Sequence, residues 1–229
     1  MPSVDFYVLI VAAGAGLRFK SDKPKLLCNL LGKPIIEHTI GAAFRSSTKG
    51  IVLVAQSDYI GKFTQIAKSC AQNKLLRIVV GGKERTDSVR AGLAALAEFC
   101  KADEIALIQD GARPLTSPEL FDKCATAAAQ YGAAISALPV TDTIKYVEND
   151  VIKSTPSRKN LWAAQTPQAF RYNIIVKALS KDAHFTDDAA AVEALGYPVH
   201  IIMGETVNIK ITTPEDITIA EAIMGVRQK

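Results

Sequence analysis

Near its start the chain reads Val8-Leu9-Ile10-Val11-Ala12-Ala13-Gly14-Ala15-Gly16-Leu17-Arg18 and runs on to Pro24-Lys25. A short apolar run rich in β-branched residues stops at a pair of glycines. That is the pattern of a buried parallel strand opening into a loop whose backbone can approach a ligand closely. From Gly14 to Lys25 the loop holds Arg18, Lys20, Lys23 and Lys25 against the single acid Asp22. Glycines bare backbone N–H groups and the cations add charge, a combination suited to a polyphosphate.

Two familiar phosphate loops fail against these letters. A dinucleotide loop needs a third glycine where Phe19 stands, and an ATPase loop needs Gly-Lys-Ser/Thr after four intervening residues. What remains, A-A-G-x-G-x-R followed by P-K, resembles the signature of the nucleotide-sugar-type nucleotidyltransferases. In that superfamily the loop wraps an NTP triphosphate. The other reading is a glycine turn with solvated cations.

Composition narrows the class. A chain of 229 residues fits one α/β domain with a sizeable core, and 48% hydrophobic against 22% charged residues argues against disorder. The net charge of +4 and few aromatics do not indicate a nucleic-acid surface, whereas an acidic small molecule in one basic pocket accounts for the excess. Cys28, Cys70, Cys100 and Cys124 have no C-x-x-C spacing and are expected to be reduced thiols. Phe6 to Ala13 has no basic leader and is too short to span a bilayer, so a cytoplasmic protein without membrane association is expected.

Further along, strand and helix patterns alternate. Pro34 opens a helix with Ile36, Ile40 and Phe44 on one face, and Gly50 to Ala55 is a second strand. Ser57-Asp58 is placed to cap a helix through Ile60, Phe63, Ala67 and Cys70. Leu76 to Val80 is a third strand ending at Gly81-Gly82-Lys83-Glu84-Arg85-Thr86-Asp87-Ser88. The helix after it starts either as a ligand-binding N-terminus or as a plain turn capped by Ser88. Glu104 to Gln109 is a fourth strand that delivers Asp110-Gly111-Ala112-Arg113-Pro114. Asp110 thus sits where α/β sheets bind ligands, suited to a substrate hydroxyl or a metal, and Arg113 either binds phosphate or pairs with Asp110. Ser117-Pro118-Glu119 opens the next helix, and Ala133 to Ala137 is a fifth strand. The fold expected is α/β, a Rossmann-like doubly wound and mostly parallel sheet.

The rhythm breaks at residues 138–165. Val140 to Val147 and Val151 to Thr155 flank Asn149-Asp150 and form a hairpin, a protruding arm that needs a second copy of the chain or its own domain to lean on. Arg158, Lys159 and Trp162 follow, with Trp162 anchoring the returning chain. Thr186-Asp187-Asp188 starts a short helix closed by Gly196, its carboxylates complementing the helix dipole. Val199 to Met203 is a strand. In Asn208-Ile209-Lys210-Ile211-Thr212 alternation makes another strand with Lys210 turned from the core, before Thr213-Pro214 starts the last helix.

The order of these motifs resembles the 2-C-methyl-D-erythritol 4-phosphate cytidylyltransferase family. The resemblance rests on A-A-G-A-G-L-R with P-K, G-G-K-E-R-T-D-S-V, D-G-A-R-P, V-T-D-T-I-K, Q-T-P-Q-A-F, T-D-D-A and N-I-K-I-T-T-P-E-D, which span nearly the whole chain. It implies that CTP and methylerythritol phosphate react with Mg²⁺, held mainly through the CTP phosphates, to give the diphosphocytidyl product and pyrophosphate. Arg18 and Lys25 would stabilise the transition state. Ala13, Gly14, Ala15, Gly16, Gly82, Lys83, Ser88 and Asp110 would form the nucleotide side, with cytosine held largely through backbone. Asp110, Arg113, Thr143, Arg158, Thr166 and Lys210 would surround the second substrate, Thr143 and Arg158 reaching from the arm of the other subunit of a homodimer. Leu26, Lys83, Phe19 and Gly111 depart from residues common in the family. A ribitol 5-phosphate cytidylyltransferase and a non-catalytic nucleotide-binding regulator are the rival readings.

Overall fold

A computed structural model describes residues 4–14, 16, 19, 23–180 and 185–227. Ala15 and Arg18, two of the expected site residues, lie outside the described residues. In chain order the elements are β1 (Phe6–Ala12), β2 (Asn29–Leu30), β3 (Lys33–Pro34), α1 (Ile35–Arg45), β4 (Gly50–Ala55), α2 (Ile60–Ala71), β5 (Leu75–Val80) and α3 (Arg85–Leu96). These are followed by β6 (Ile105–Asp110), α4 (Pro118–Tyr131), β7 (Ala133–Pro139), β8 (Tyr146–Glu148), β9 (Val151–Ser154) and β10 (Trp162–Arg171). The chain then forms α5 (Tyr172–Ala178), α6 (Asp188–Glu193), β11 (His200–Met203) and α7 (Glu215–Arg227).

Seven strands form the main sheet in the order β11-β7-β10-β6-β1-β4-β5. Only β10 runs against its neighbours β6 and β7, so the sheet is mostly parallel as expected. The strand runs are continuously apolar because both faces are covered. Along β1, Phe6, Val8 and Ile10 enter one core with α1, α2 and α4, while Tyr7 and Leu9 enter the other with α3, α5 and α6. Val8, Leu9 and Ile10 have no exposed surface, and burying each side chain stabilises by roughly 1.5–3 kcal/mol before entropy is charged. Pairing of β1 with β4 on one side and β6 on the other puts the reversal of strand order at their carboxyl ends, where open α/β sheets form their binding crevice.

Several local expectations differ. Trp162–Arg171 is a full strand and not merely a returning segment; it carries a bulge between Ala164 and Gln168, which includes the cis Thr166–Pro167 peptide. The hairpin strands are shorter than expected, because residues before Tyr146 leave the ladder; Val140 N donates instead to the Leu161 carbonyl at the arm's base. Its turn is as read, with Asn149 and Asp150 both at positive φ (49° and 61°), the geometry of a tight type I′ connection. Asn208–Thr212 is extended but joins no sheet, since Ile211 N bonds the Ala112 carbonyl of a loop. Ile211 is buried and Lys210 exposed as alternation expects, but Asn208, on the polar side of that pattern, is fully buried through its bonds with Thr166 and Thr116. Ser57 starts a 3-10 turn and its hydroxyl bonds Asp58, so it does not cap α2.

The antiparallel run of β10 places its first residue beside the last residues of β7, Trp162 pairing with Pro139. Both feet of the arm therefore stand at the carboxyl end of the parallel strands, the same end as the crevice.

Candidate active site

Three strand ends build the crevice. The loop after β1 supplies Ala13, Gly14 and Gly16, the turn after β5 supplies Gly82, Lys83 and Glu84, and β6 ends in Asp110. Lys25, Ser88, Lys210 and Thr212 complete a cleft of about 550 Å³. A larger groove of about 700 Å³ lies between α1 and residues 114–119, but it contains none of the glycine-loop residues.

Close approach fixes the two loops to each other. A Cβ on Gly81 would stand 2.2 Å from Ala13 Cβ and 2.7 Å from Ser88 Oγ, so only glycine lets the loops meet. Gly16 has φ +63°, a left-handed conformation that L side chains avoid. Helix α3 is capped by Glu84, not by Ser88: Glu84 and Asp87 form a reciprocal capping box, and the Ser88 hydroxyl bonds back to the Glu84 carbonyl. Serine in the first helical turn can satisfy i−4 in this way, whereas the cap must lie outside the helix. Ser88 still lines the cleft.

Charge converges on Asp110. Its Oδ2 lies 2.8 Å from Lys210 Nζ and 3.7 Å from Arg113 Nε, and its Oδ1 lies 3.5 Å from Arg85 Nε. Burial alone would push this carboxyl up, but the Lys210 charge and then the Arg85 charge outweigh it and hold the pKa at about 2. Lys25 Nζ donates to the Ile211 carbonyl at 2.7 Å, tying the first loop to the segment that carries Lys210.

Arg113 and Thr166 stand behind this wall rather than on it. Arg113 Nη1 donates to the Asn208 carbonyl at 2.7 Å, and the Thr166 hydroxyl accepts from Asp110 N at 3.0 Å. Asn208 Nδ2 donates to the Thr166 carbonyl at 2.9 Å, which closes a buried network holding Asp110 and Lys210 in register. Thr143 and Arg158 are exposed on the arm and do not line the cleft of their own chain. Arg158 donates to the Thr141 carbonyl within the arm.

Arg85 and Asp188 are the residues that sequence reasoning missed. Arg85 lines the cleft and grips Asp188 with both Nη atoms, at 3.0 and 2.7 Å. Asp188 is 2% exposed, so its carboxylate is an internal counter-ion and not only a helix-dipole complement. Asp187 does act at the helix start, accepting from Ala190 N. The available signal was an arginine at the positive end of a helix, where a cation is unfavourable unless something anionic holds it.

A glycine-lined crevice at the strand-order reversal, with cations on both sides of an ionised carboxylate, defines a nucleotide-phosphate binding α/β protein of the nucleotidyltransferase class. A family model described as 2-C-methyl-D-erythritol 4-phosphate cytidylyltransferase matches residues 6–226. Proteins so named from Microcystis aeruginosa and Pelotomaculum thermopropionicum are each 44% identical over 227 residues, covering 96% of this chain and 99% and 94% of theirs. The crystal structure of the 4-diphosphocytidyl-2C-methyl-D-erythritol synthase from Anaerococcus prevotii is similar at TM-score 0.83 and 31% identity, covering 97% of each chain. The chain belongs to the 2-C-methyl-D-erythritol 4-phosphate cytidylyltransferase family.

Proposed function

We propose that this protein transfers the cytidylyl group of CTP to 2-C-methyl-D-erythritol 4-phosphate and releases pyrophosphate. The observation that carries the reading is the convergence of Lys25 and Lys210 on one cleft between two glycine loops, with Asp110 held ionised among them. CTP lies along Ala13, Gly14, Gly16 and the Gly82–Lys83 turn, whose backbone groups and cation suit a base and its phosphates. The acceptor lies against Asp110 and Lys210: the carboxylate takes a polyol hydroxyl and the ammonium faces phosphate.

An acceptor phosphate oxygen forms the new bond to the α-phosphorus while the bond to the bridging oxygen breaks, its electron pair leaving with pyrophosphate. A phosphate monoester with a second pKa of about 6 is already an anion at neutral pH, so no side-chain base is needed. The work left to the protein is to fix cations where two anions meet, which Lys25 does from the first loop; the family resemblance gives the same task to Arg18. Among the described residues, the carboxylates lining the cleft are Glu84 and Asp110, hard oxygen donors that would suit Mg²⁺ carried on the triphosphate. Bound there, it would neutralise phosphate oxygens and favour departure of pyrophosphate.

The arm supports a homodimer. Tyr146, Val147, Val151 and Ile152 are each about half exposed, and a lone hairpin with such a surface is marginal in water. In the dimer Thr143 and Arg158 would serve the neighbouring cleft.

Pyrophosphate release from CTP and Mg²⁺ on adding methylerythritol phosphate tests the reading. Preference for ribitol 5-phosphate would transfer the assignment to that acceptor, and CTP binding without turnover would leave a nucleotide-binding regulator.

A further inference from the structure

The cleft's ionic chain does not end at Asp110. From Lys210 it continues inward through Asp110 and Arg85 to Asp188, alternating in sign and crossing from the extended segment before α7, through the end of β6 and the first residue of α3, to the start of α6. Nothing in the transfer step itself calls for its last two members. Asp188 has no route to substrate, since it is 2% exposed and both its oxygens are taken by Arg85. Arg85 stands at the N-terminus of a helix, where the backbone dipole disfavours a cation, so its location must be set by its two carboxylates.

We propose that Arg85 and Asp188 form a positioning pair that fixes the orientation of the Asp110 carboxylate for the acceptor. The fork geometry carries the argument. With both Nη atoms bonded to Asp188 the guanidinium is held as a fork, and its Nε lies 3.5 Å from Asp110 Oδ1. Lys210 holds the other oxygen at 2.8 Å. Asp110 is thereby gripped from α3 and from the Lys210 segment, with Arg113 Nε at 3.7 Å beside Oδ2, while it lines the cleft where the acceptor is placed. Lysine at position 85 would keep the charge but lose the fork, so it would hold Asp110 less firmly. Arg85 follows directly on the Gly82–Glu84 turn but is no part of the glycine-loop backbone proposed to receive CTP.

This inference rests on the proposed placement of the acceptor at Asp110 and Lys210. Removing Arg85 or Asp188 alone leaves a buried charge unpaired and can unfold the protein, so the informative variant is the double change Arg85→Gln with Asp188→Asn, beside Arg85→Lys. The full chain is assayed for its thermal midpoint, for CTP affinity by titration without acceptor, and for kcat and acceptor KM at saturating CTP. The expected result for the double variant is CTP affinity within about 3-fold of wild type with acceptor KM raised about 10-fold or more, and an intermediate KM for Arg85→Lys. An unchanged acceptor KM in the folded double variant overturns the proposal, as does an equal loss of CTP and acceptor affinity, which is general loosening. Wild-type turnover is the control for the functional reading. If it is absent that reading fails, and the pair is judged on a crystal structure of the double variant: a turned Asp110 carboxylate supports positioning, and an unmoved one overturns it.

Discussion

Lys210 Nζ stands 2.8 Å from Asp110 Oδ2, a pairing made between the end of a central strand and a stretch that belongs to no sheet. The contact depends on Lys25, Arg113 and Asn208, which hold that stretch beside Ala112 through backbone carbonyls and a side-chain amide. Replacing Lys210 by Met removes the largest influence keeping Asp110 acidic. We expect kcat/KM for the acceptor to fall about 10²- to 10³-fold. Steady-state kinetics with CTP saturating checks this, and a fall below about 5-fold would remove Lys210 from the acceptor site.

The pH profile follows from the same carboxylate. Asp110 is held at about 2, so it stays charged through the working range and sets no acid limb there. The wild-type limb should lie near pH 6 and belong to the acceptor phosphate, whose second pKa is about 6. In Lys210→Met the Asp110 pKa rises, and an additional loss should appear at lower pH. For stability the sign is that of a depressed carboxyl: its contribution is present above about pH 4, the unfolded value, and is lost as pH falls through about 2. Acid unfolding of the variant should therefore begin at higher pH, measured by circular dichroism.

Lys25→Ala should lower kcat about 10²- to 10³-fold while CTP affinity changes less, because a cation at the reacting phosphate counts most in the transition state. Single-turnover rates beside CTP titrations separate the two. Equal losses in both would make Lys25 a binding residue only.

Gly81→Ala introduces a methyl 2.2 Å from Ala13 Cβ, and neither loop can yield without moving the nucleotide wall. Overpacking of this kind costs about 1–3 kcal/mol. The expected result is a lower thermal midpoint together with weaker CTP binding, read by differential scanning calorimetry and titration.

Mixed dimers test the arm. If Arg158 serves the neighbouring cleft, combining Lys25→Ala with Arg158→Ala chains gives heterodimers with one doubly damaged site and one intact site. Random mixing should then restore about a quarter of wild-type activity, since half the dimers carry one good site. No recovery above the parent variants would place Arg158 in its own chain's site or in none.

How far the letters alone reached is seen at particular residues. The runs Val8–Ile10 and Ile51–Val54 are continuous because both faces of the sheet are covered, so their unbroken apolar stretches marked them as buried strands and the glycines after Ala13 marked the crevice. Asn149-Asp150 announced its turn through residues that tolerate positive φ. By contrast β10 contains Gln165, Thr166, Pro167 and Gln168, a composition that reads as loop. They are buried because Glu205, Asn208 and Asp187 supply their hydrogen bonds, partners known only once the chain is folded. Arg85 and Asp188 escaped for the same reason: 103 positions separate them, and only packing of α6 beside α3 gives either a role.

The pairing of Pro139 with Trp162 has a further consequence. The excursion leaves and rejoins the sheet on one rung, so residues can be added to or removed from it without shifting any other rung. Its reach is thus a dimension that selection or an engineer can adjust separately from the scaffold, and under the proposed dimer a graft of the arm between relatives would carry Thr143 and Arg158 with it.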